Sequence, residues 1–251
     1  MDAVYLVFGV EAHELGPTLR RAAAEEMIGV NVTLPYKVAA MEFMDSLSTA
    51  ATKVGAVNTV EVHKEKLVGH NTDGEGLVRF IERDLGEGID GRSVLVLGAG
   101  GAARAVVWSL AGAGAARMTV AARDPTKAAR LSGLVTGIPF LALNLTALTR
   151  EVVAAADLII NATPQGQTAQ RQTLLALAGA KGHTLVIDLV YRPAVTGLMA
   201  DARAAGLVAH GGLGMLVRQA ALSFEIWTGI SAPLQVMYEA TGFKRPIESA
   251  E

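Results

Sequence analysis

An α/β protein of two domains, one of them built on a doubly wound parallel sheet, is what this sequence predicts. Three observations predict it. From Ser93 onward, short apolar runs alternate with helix-like stretches. The first of those runs ends in a glycine turn, Gly98-Ala99-Gly100-Gly101-Ala102-Ala103. Ahead of Ser93 lies a second, less regular alternation, set off by the glycine-rich, charged stretch Gly86-Glu87-Gly88-Ile89-Asp90-Gly91, which has the composition of a junction between domains. With 251 residues, 51% of them hydrophobic, the chain is long enough to bury two cores.

In the first part, Val4 to Phe8, Gly29 to Val32, Val57 to Val62 and Lys66 to Val68 have the pattern of strands. Glu14 to Glu25, Lys37 to Leu47 and Glu75 to Leu85 have the pattern of helices. In the second part, Val94 to Leu97 is a strand and Ala102 to Ala113 an Ala-rich helix. Met118 to Ala121 is the next strand, after which Pro125 opens a helix at a position that favours proline. Asp157 to Ile160 and Leu185 to Asp188 are further strands, with helical stretches at Leu148 to Ala156 and Ala194 to Ala205. Uninterrupted apolar strands separated by helices are buried on both faces, which implies parallel pairing. Gly211-Gly212-Leu213-Gly214 breaks the alternation, and Met215 to Trp227 follows as an apolar-periodic helix.

Composition excludes several function classes. A net charge of -2 provides no basic field for nucleic acid. With no cysteine there is no disulfide, thiolate nucleophile or Cys-ligated zinc, as suits a reducing cytoplasm. The opening residues Met1 to Val4 lack the charged and apolar regions of a signal peptide, and the runs around Asp157 are too short to span a bilayer. The five histidines show no metal-ligand spacing, so no metal is expected. A small-molecule substrate, rather than nucleic acid or membrane, is the expected partner.

The glycine turn follows a strand and opens a helix, the context a dinucleotide-binding, Rossmann-type unit requires. Gly98 permits the tight turn, Gly100 lets backbone approach a pyrophosphate, and Ala103 keeps helix and strand close. The helix N-terminus offers N–H groups to phosphate. The next strand ends at Ala121-Ala122-Arg123-Asp124, where the adenosine ribose belongs. Arg123 suits a 2′-phosphate and favours NADP, and Lys127, one helical turn on, adds positive charge. Asp124 suits a ribose hydroxyl and favours NAD. Two cations against one carboxylate tilt the balance to NADP.

Upstream, Lys37 sits in Asn31-Val32-Thr33-Leu34-Pro35-Tyr36-Lys37, and Asp73 in Asn71-Thr72-Asp73-Gly74, with Gly55-Ala56-Val57-Asn58-Thr59 between them. A cation and an anion ahead of a nucleotide-binding unit suggest proton transfer coupled to hydride transfer. Taken singly, a lysine is most often a solvated surface group, and Asn-Thr-Asp most often a turn or helix cap. Taken together and in order, these motifs resemble the shikimate dehydrogenase family. So do Asn161-Ala162-Thr163-Pro164, Asp188-Leu189-Val190-Tyr191 and Gly214-Met215-Leu216-Val217-Arg218-Gln219-Ala220.

The resemblance covers most of the chain. It implies reversible, NADP-dependent reduction of 3-dehydroshikimate to shikimate in aromatic amino-acid biosynthesis, in the cytoplasm, by a monomer or homodimer. It implies that Lys37 and Asp73 are the catalytic pair, and that Asn31, Thr33, Asn58, Tyr191 and Gln219 hold the substrate, with Tyr191 near its carboxylate. It implies that Gly98, Ala99, Gly100, Gly101, Ala102, Arg123, Lys127 and Thr163 bind the cofactor, together with Gly212 and Met215, the latter on the nicotinamide side. The substrate domain is then 1–86 with 212–251, closed by C-terminal helices, and the dinucleotide domain 87–211.

Two departures accompany the resemblance. Gln167 stands where the family more often has methionine. The family's first strand, its Ser-x-Ser-Pro loop and its first helix have no counterpart ahead of Asp2. The expectation drawn is a misplaced start rather than a shortened, nucleotide-binding paralogue with little activity, since Lys37, Asp73, Asn58 and Gln219 all remain. An NAD-dependent quinate/shikimate dehydrogenase is the other alternative, and Asp124 is its support.

Overall fold

The structure, a computed structural model, describes residues 3–167 and 175–242. The chain divides into two compact units, Met1–Asn71 with Ile226–Thr228, and Thr72–Glu225 with Gly229–Glu251. The division falls inside the Asn-Thr-Asp motif rather than at the glycine-rich stretch, because the helix that Asp73 opens packs on the second unit's own helix, as shown below.

In the first unit, α1 (Leu15–Ala24) and α2 (Thr49–Val54) accompany β1 (Gly29–Asn31), β2 (Ser46–Leu47), β3 (Thr59–His63) and β4 (Lys66–His70). The sheet runs β1-β3-β4-β2, antiparallel except for β2 beside β4. Leu15, Leu19 and Ala23 project from one face of α1 at helical spacing and pack with Val32, Val57, Val60 and Leu67. Trp227 Nε1 donates to Val60 O at 2.9 Å, and its indole lies so close to Gly29 that any Cβ there would overlap it.

The expected helix over Lys37 to Leu47 does not form. Residues 34–38 are a turn, a 3₁₀ turn covers Ala39–Phe43, and β2 follows. Asp45 explains this: its N–H donates to Leu67 O at 2.8 Å and its carboxylate accepts from Leu67 N at 2.7 Å. Pairing with β4 outweighs helical periodicity at that point. Residues 4–8, expected as a strand, have no regular secondary structure and pair with no strand among the described residues, and Val4 and Val7 are 81% and 90% exposed. Side chains hold this segment instead: Tyr5 OH donates to Asn31 Oδ1 at 2.9 Å, Arg21 lies over the Phe8 ring, and Tyr36 OH donates to Val10 O.

The second unit opens with α3 (Asp73–Arg79), which continues as a π-helical turn over Phe80–Asp84. Next come β5 (Ser93–Leu97), α4 (Gly101–Gly112), β6 (Arg117–Ala122), α5 (Pro125–Arg130), β7 (Phe140–Asn144), α6 (Arg150–Ala155) and β8 (Leu158–Asn161). The rest is β9 (Leu185–Asp188), α7 (Gly197–Ala204), β10 (Val208–Gly211), α8 (Leu213–Thr228, whose last turn belongs to the first unit) and α9 (Leu234–Ala240). The six strands run β7-β6-β5-β8-β9-β10, every neighbour parallel, which is the doubly wound sheet the sequence predicts.

Alternate residues feed the sheet's two faces. Val94, Val96, Val120, Ile160 and Ile187 join α4 and the α3 residues Leu77 and Val78 on one side. Leu95, Leu97, Ala121, Ile159 and Val186 join Val153 of α6 and Leu198 of α7 on the other. On the first side α3 and α4 meet closely: a Cβ on Gly74 would stand 2.0 Å from Ser109 Oγ and 2.6 Å from Ala105 O.

At the amino-terminal edge of the sheet, Asp157 accepts from Lys181 Nζ at 2.6 Å, Ser93 N at 2.9 Å and His183 Nε2 at 3.2 Å. Burial raises its pKa, but Lys181, then Ser93, then His183 outweigh burial and hold it at about 2. A carboxylate depressed below its unfolded value near 4 contributes stability at higher pH and loses it as pH falls from about 4 to about 2. Asp157→Asn is therefore expected to flatten the fall of Tm across that window, measured by circular dichroism. Parallel wild-type and variant curves would rule this role out.

Candidate active site

The candidate dinucleotide site lies where the strand order reverses, between β5 and β8, at the carboxyl ends of the strands. Gly98 has φ +109°, its N–H donates to Ala121 O at 2.8 Å, and a Cβ there would meet Thr163 Cγ2 at 3.0 Å and Ala162 O at 3.1 Å. The fold itself thus demands glycine at 98. It does not at Gly100 or Gly101, where a Cβ would meet nothing within 4 Å. Gly100 caps α4 with ordinary extended geometry and no side-chain cap. Open space above a helix N-terminus fits a pyrophosphate. Ala102 is exposed beside it, Ala99 packs against the core, and Ala103 is fully buried between helix and sheet.

At the end of β6, Arg123 and Lys127 are exposed on the turn into α5. Asp124 is the N-cap of α5, its Oδ1 accepting from Thr126 N at 2.9 Å and Lys127 N at 3.3 Å. The helix thus gives Asp124 a structural task, while the two cations beside it stay on the surface.

At the end of β8, the Thr163 N–H and hydroxyl both donate to Asn161 Oδ1, at 3.0 and 2.6 Å. Tyr191 follows β9 and is 44% exposed. Gly212 explains itself by contact: a Cβ would lie 2.1 Å from Leu189 O, and its N–H donates to Val190 O at 3.2 Å. It opens α8, on which Met215 is buried in the core and Gln219 stands one turn further on, its Nε2 donating to Leu216 O at 2.9 Å. Gly76, one turn after Asp73, brings α3 against α8, since a Cβ there would meet Gln219 N at 2.8 Å. Arg218 Nε donates to Asp84 Oδ2 at 2.8 Å, with its second fork nitrogen on Oδ1, and Tyr238 OH also donates to Asp84. All three side chains are buried, and this knot fixes the rotation of α8 and with it Met215 and Gln219.

In the first unit, Asn31, Thr33, Lys37 and Asn58 gather where β1 ends and β3 begins. Asn31 pairs with Thr59 in register, Asn31 Nδ2 donates to Asn58 O at 3.3 Å, and Val32 N donates to the same oxygen at 2.9 Å. Val57 N donates to Lys37 O at 2.7 Å, which ties the lysine's backbone to the residue before Asn58. Thr33 is exposed on the turn, where its carbonyl accepts from Tyr36 N. Asp73 is buried at the start of the second unit. Sequence reasoning passed over Tyr5, whose hydroxyl meets Asn31, and Asn71, whose Nδ2 donates to Ala56 O at 3.0 Å. A tyrosine in an apolar run and the first residue of a turn motif carried no separate signal. Among the described residues, no group of three or more histidine or acidic side chains could hold a metal ion, and no helix is long and apolar enough to cross a membrane.

Comparison with known proteins matches residues 1–60 to the shikimate dehydrogenase substrate binding domain. Residues 81–201 match shikimate / quinate 5-dehydrogenase, and residues 212–241 the shikimate 5'-dehydrogenase C-terminal domain. The shikimate dehydrogenase (NADP(+)) of Methanopyrus kandleri is 40% identical over 247 residues, 96% of this chain and 85% of that one. Shikimate 5-dehydrogenase of Thermus thermophilus, in complex with NADP(H) and shikimate, superposes with a TM-score of 0.82 at 35% identity, covering 93% of this chain and 85% of the other. Quinate dehydrogenase of Corynebacterium glutamicum, in complex with NAD, gives 0.83 at 33% identity, covering 90% and 82%.

The two kinds of glycine separate in a simple test. Gly98→Ala forces an L-residue into the left-handed region and is expected to cost about 1–3 kcal/mol of stability. Gly100→Ala is expected to lower Tm by no more than about 2–4 °C, the cost of alanine at an N-cap, and to weaken dinucleotide binding about tenfold. Calorimetric Tm and nucleotide titration read both. Wild-type affinity in Gly100→Ala would remove the pyrophosphate from that turn.

Proposed function

The chain belongs to the shikimate dehydrogenase family, and on that premise we propose that it is an NADP-dependent oxidoreductase interconverting 3-dehydroshikimate and shikimate. The observation that carries the dinucleotide half of this reading is the Gly98 turn, with glycine demanded at 98 and open space at 100 and 101. The substrate half rests on the family and on the ordered polar motifs. The NADP(H) and shikimate bound to the Thermus relative support both. The reaction belongs to the cytoplasm, and the working form is a monomer or homodimer acting on a small molecule.

When bound, the cofactor supplies the nicotinamide that takes or gives hydride. In the direction of oxidation, the reacting hydroxyl must lose a proton as its carbon loses hydride. We assign that proton to Lys37, with Asp73 as its ionisable partner. Asn31, Thr33, Asn58 and Gln219 are neutral donors and acceptors, suited to holding ring hydroxyls in fixed directions without competing for the proton. Tyr191 contributes to the substrate carboxylate. Arg123 and Lys127 take the 2′-phosphate, a doubly charged group that a guanidinium matches in shape as well as charge. The capping task of Asp124 weakens the case for it as an NAD-selective ribose acceptor.

The deciding experiment is shikimate-dependent reduction of NADP⁺ by the purified chain, followed by nicotinamide absorbance and repeated with NAD⁺ and with quinate. Turnover is expected with shikimate and NADP⁺ above the other three pairings. Binding of NADPH without any turnover would favour a nucleotide-binding paralogue. Lys37→Ala is expected to lower kcat by about 10²–10⁴-fold with NADPH affinity nearly unchanged, and an active variant would refute the assignment. Arg123→Ala is expected to raise the Kd of NADPH by about tenfold or more and to leave NADH almost untouched. Equal losses for both would remove its 2′-phosphate role.

A further inference from the structure

Two buried polar side chains stand as register partners at the carboxyl ends of adjacent central strands, Asn161 on β8 and Asp188 on β9. Both are fully buried. Asp188 Oδ1 accepts from Asn161 Nδ2 at 2.8 Å and from Val190 N at 3.1 Å, and its Oδ2 accepts from Thr196 Oγ1 at 2.6 Å. Asn161 Nδ2 also donates to Gln165 O at 3.2 Å, while Asn161 Oδ1 takes both donors of Thr163. The amide is therefore oriented in one way only: its oxygen faces Thr163 and its nitrogen faces the carboxylate. Gly166 lies against the other end, where a Cβ would sit 3.6 Å from Thr196 Cβ and 3.8 Å from Asp188 Oδ2. Val190, held by Asp188 through its N–H, accepts from Gly212 N at the start of α8.

We infer that Asp188 is a positioning residue that locks three segments into one arrangement: the turn carrying Thr163, the turn carrying Tyr191, and the start of α8. This rests on the proposed function, which gives Thr163 and Gly212 to the cofactor and Tyr191 to the substrate. One buried carboxylate then sets binding of both reactants. An acceptor-only group is what three converging donors require. Burial pushes the Asp188 carboxyl upward, and the Thr196 hydroxyl, Val190 N–H and Asn161 amide draw it back in part. An asparagine at 188 could keep its oxygen toward Asn161 and Val190 and turn its NH₂ to the Thr196 hydroxyl, so that substitution is the conservative one. Alanine would leave all three donors without their acceptor.

The test compares Asp188→Asn, Asp188→Ala and Thr196→Val with wild type. It reads NADPH Kd by nicotinamide fluorescence and shikimate KM and kcat by turnover. Asp188→Ala is expected to raise both NADPH Kd and shikimate KM by about tenfold or more, with Asp188→Asn restoring both to within a few-fold of wild type. Thr196→Val, which removes the donor to Asp188 Oδ2 together with the hydroxyl that accepts from Met199 N at the start of α7, reports if the alanine variant does not fold, and is expected to raise both by about three- to tenfold. Unchanged Kd and KM in a folded alanine variant, or in Thr196→Val, would overturn the inference, as would a change in one constant alone. Absence of wild-type turnover would instead count against the proposed reaction, while the NADPH titration would still decide whether Asp188 sets the cofactor side.

Discussion

Parallel pairing of all six strands in the second unit is the constraint on which the candidate site depends. Because every strand runs the same way, every carboxyl end falls on one edge, and each strand hands the chain to a loop there. Gly98, Arg123, Asn161, Asp188 and Gly211 are the residues at or just beyond five of those ends. The order reverses beside β5, so the loops after β5 and β8 diverge to opposite faces and leave the crevice in which Gly98 meets Thr163. Residues separated by tens of positions in sequence become neighbours through this one topological fact.

The edge also explains why its polar groups are of two kinds. Arg123, Lys127 and Tyr191 are exposed, with their side chains at the surface. Asn161, Asp188 and Thr196 are buried and fully engaged, so their chemistry is spent on holding loops. A buried polar group costs free energy when its partner is lost, and a network of them therefore has one geometry rather than several. Rigid backing for exposed side chains is what ordered binding of two reactants requires.

Much of this was legible in the chain. The strands β5, β6, β8 and β9 announce themselves as uninterrupted apolar runs, and the Gly98 turn names its own context. What escaped did so for physical reasons. β7, a partly exposed edge strand after Gly137-Ile138-Pro139, and β10, four residues running into Gly211, lack the continuous burial that marks central strands. The helix expected at Lys37 lost to a tertiary contact, Asp45 with Leu67, that no local pattern records. Among site residues, Gly212 and Met215 came from motif resemblance; the structure gives each a packing role, a backbone approach of 2.1 Å in one case and a place in the core in the other. Asp188 ended an apolar run and looked like the end of a strand. Its importance lies in Asn161, 27 positions earlier, and pairing at that range is set by register alone.

The knot of Asp84, Arg218 and Tyr238 carries a consequence for how the protein is made. Its members lie 134 and 154 residues apart along the chain. At ribosomal rates of about 5–20 residues per second, Asp84 waits roughly seven to twenty-seven seconds for its guanidinium. A carboxylate that lacks its guanidinium resists transfer out of water, which disfavours sealing α3 over it before α8 is made. The knot thus forms only late in synthesis, once α8 and α9 have both been made.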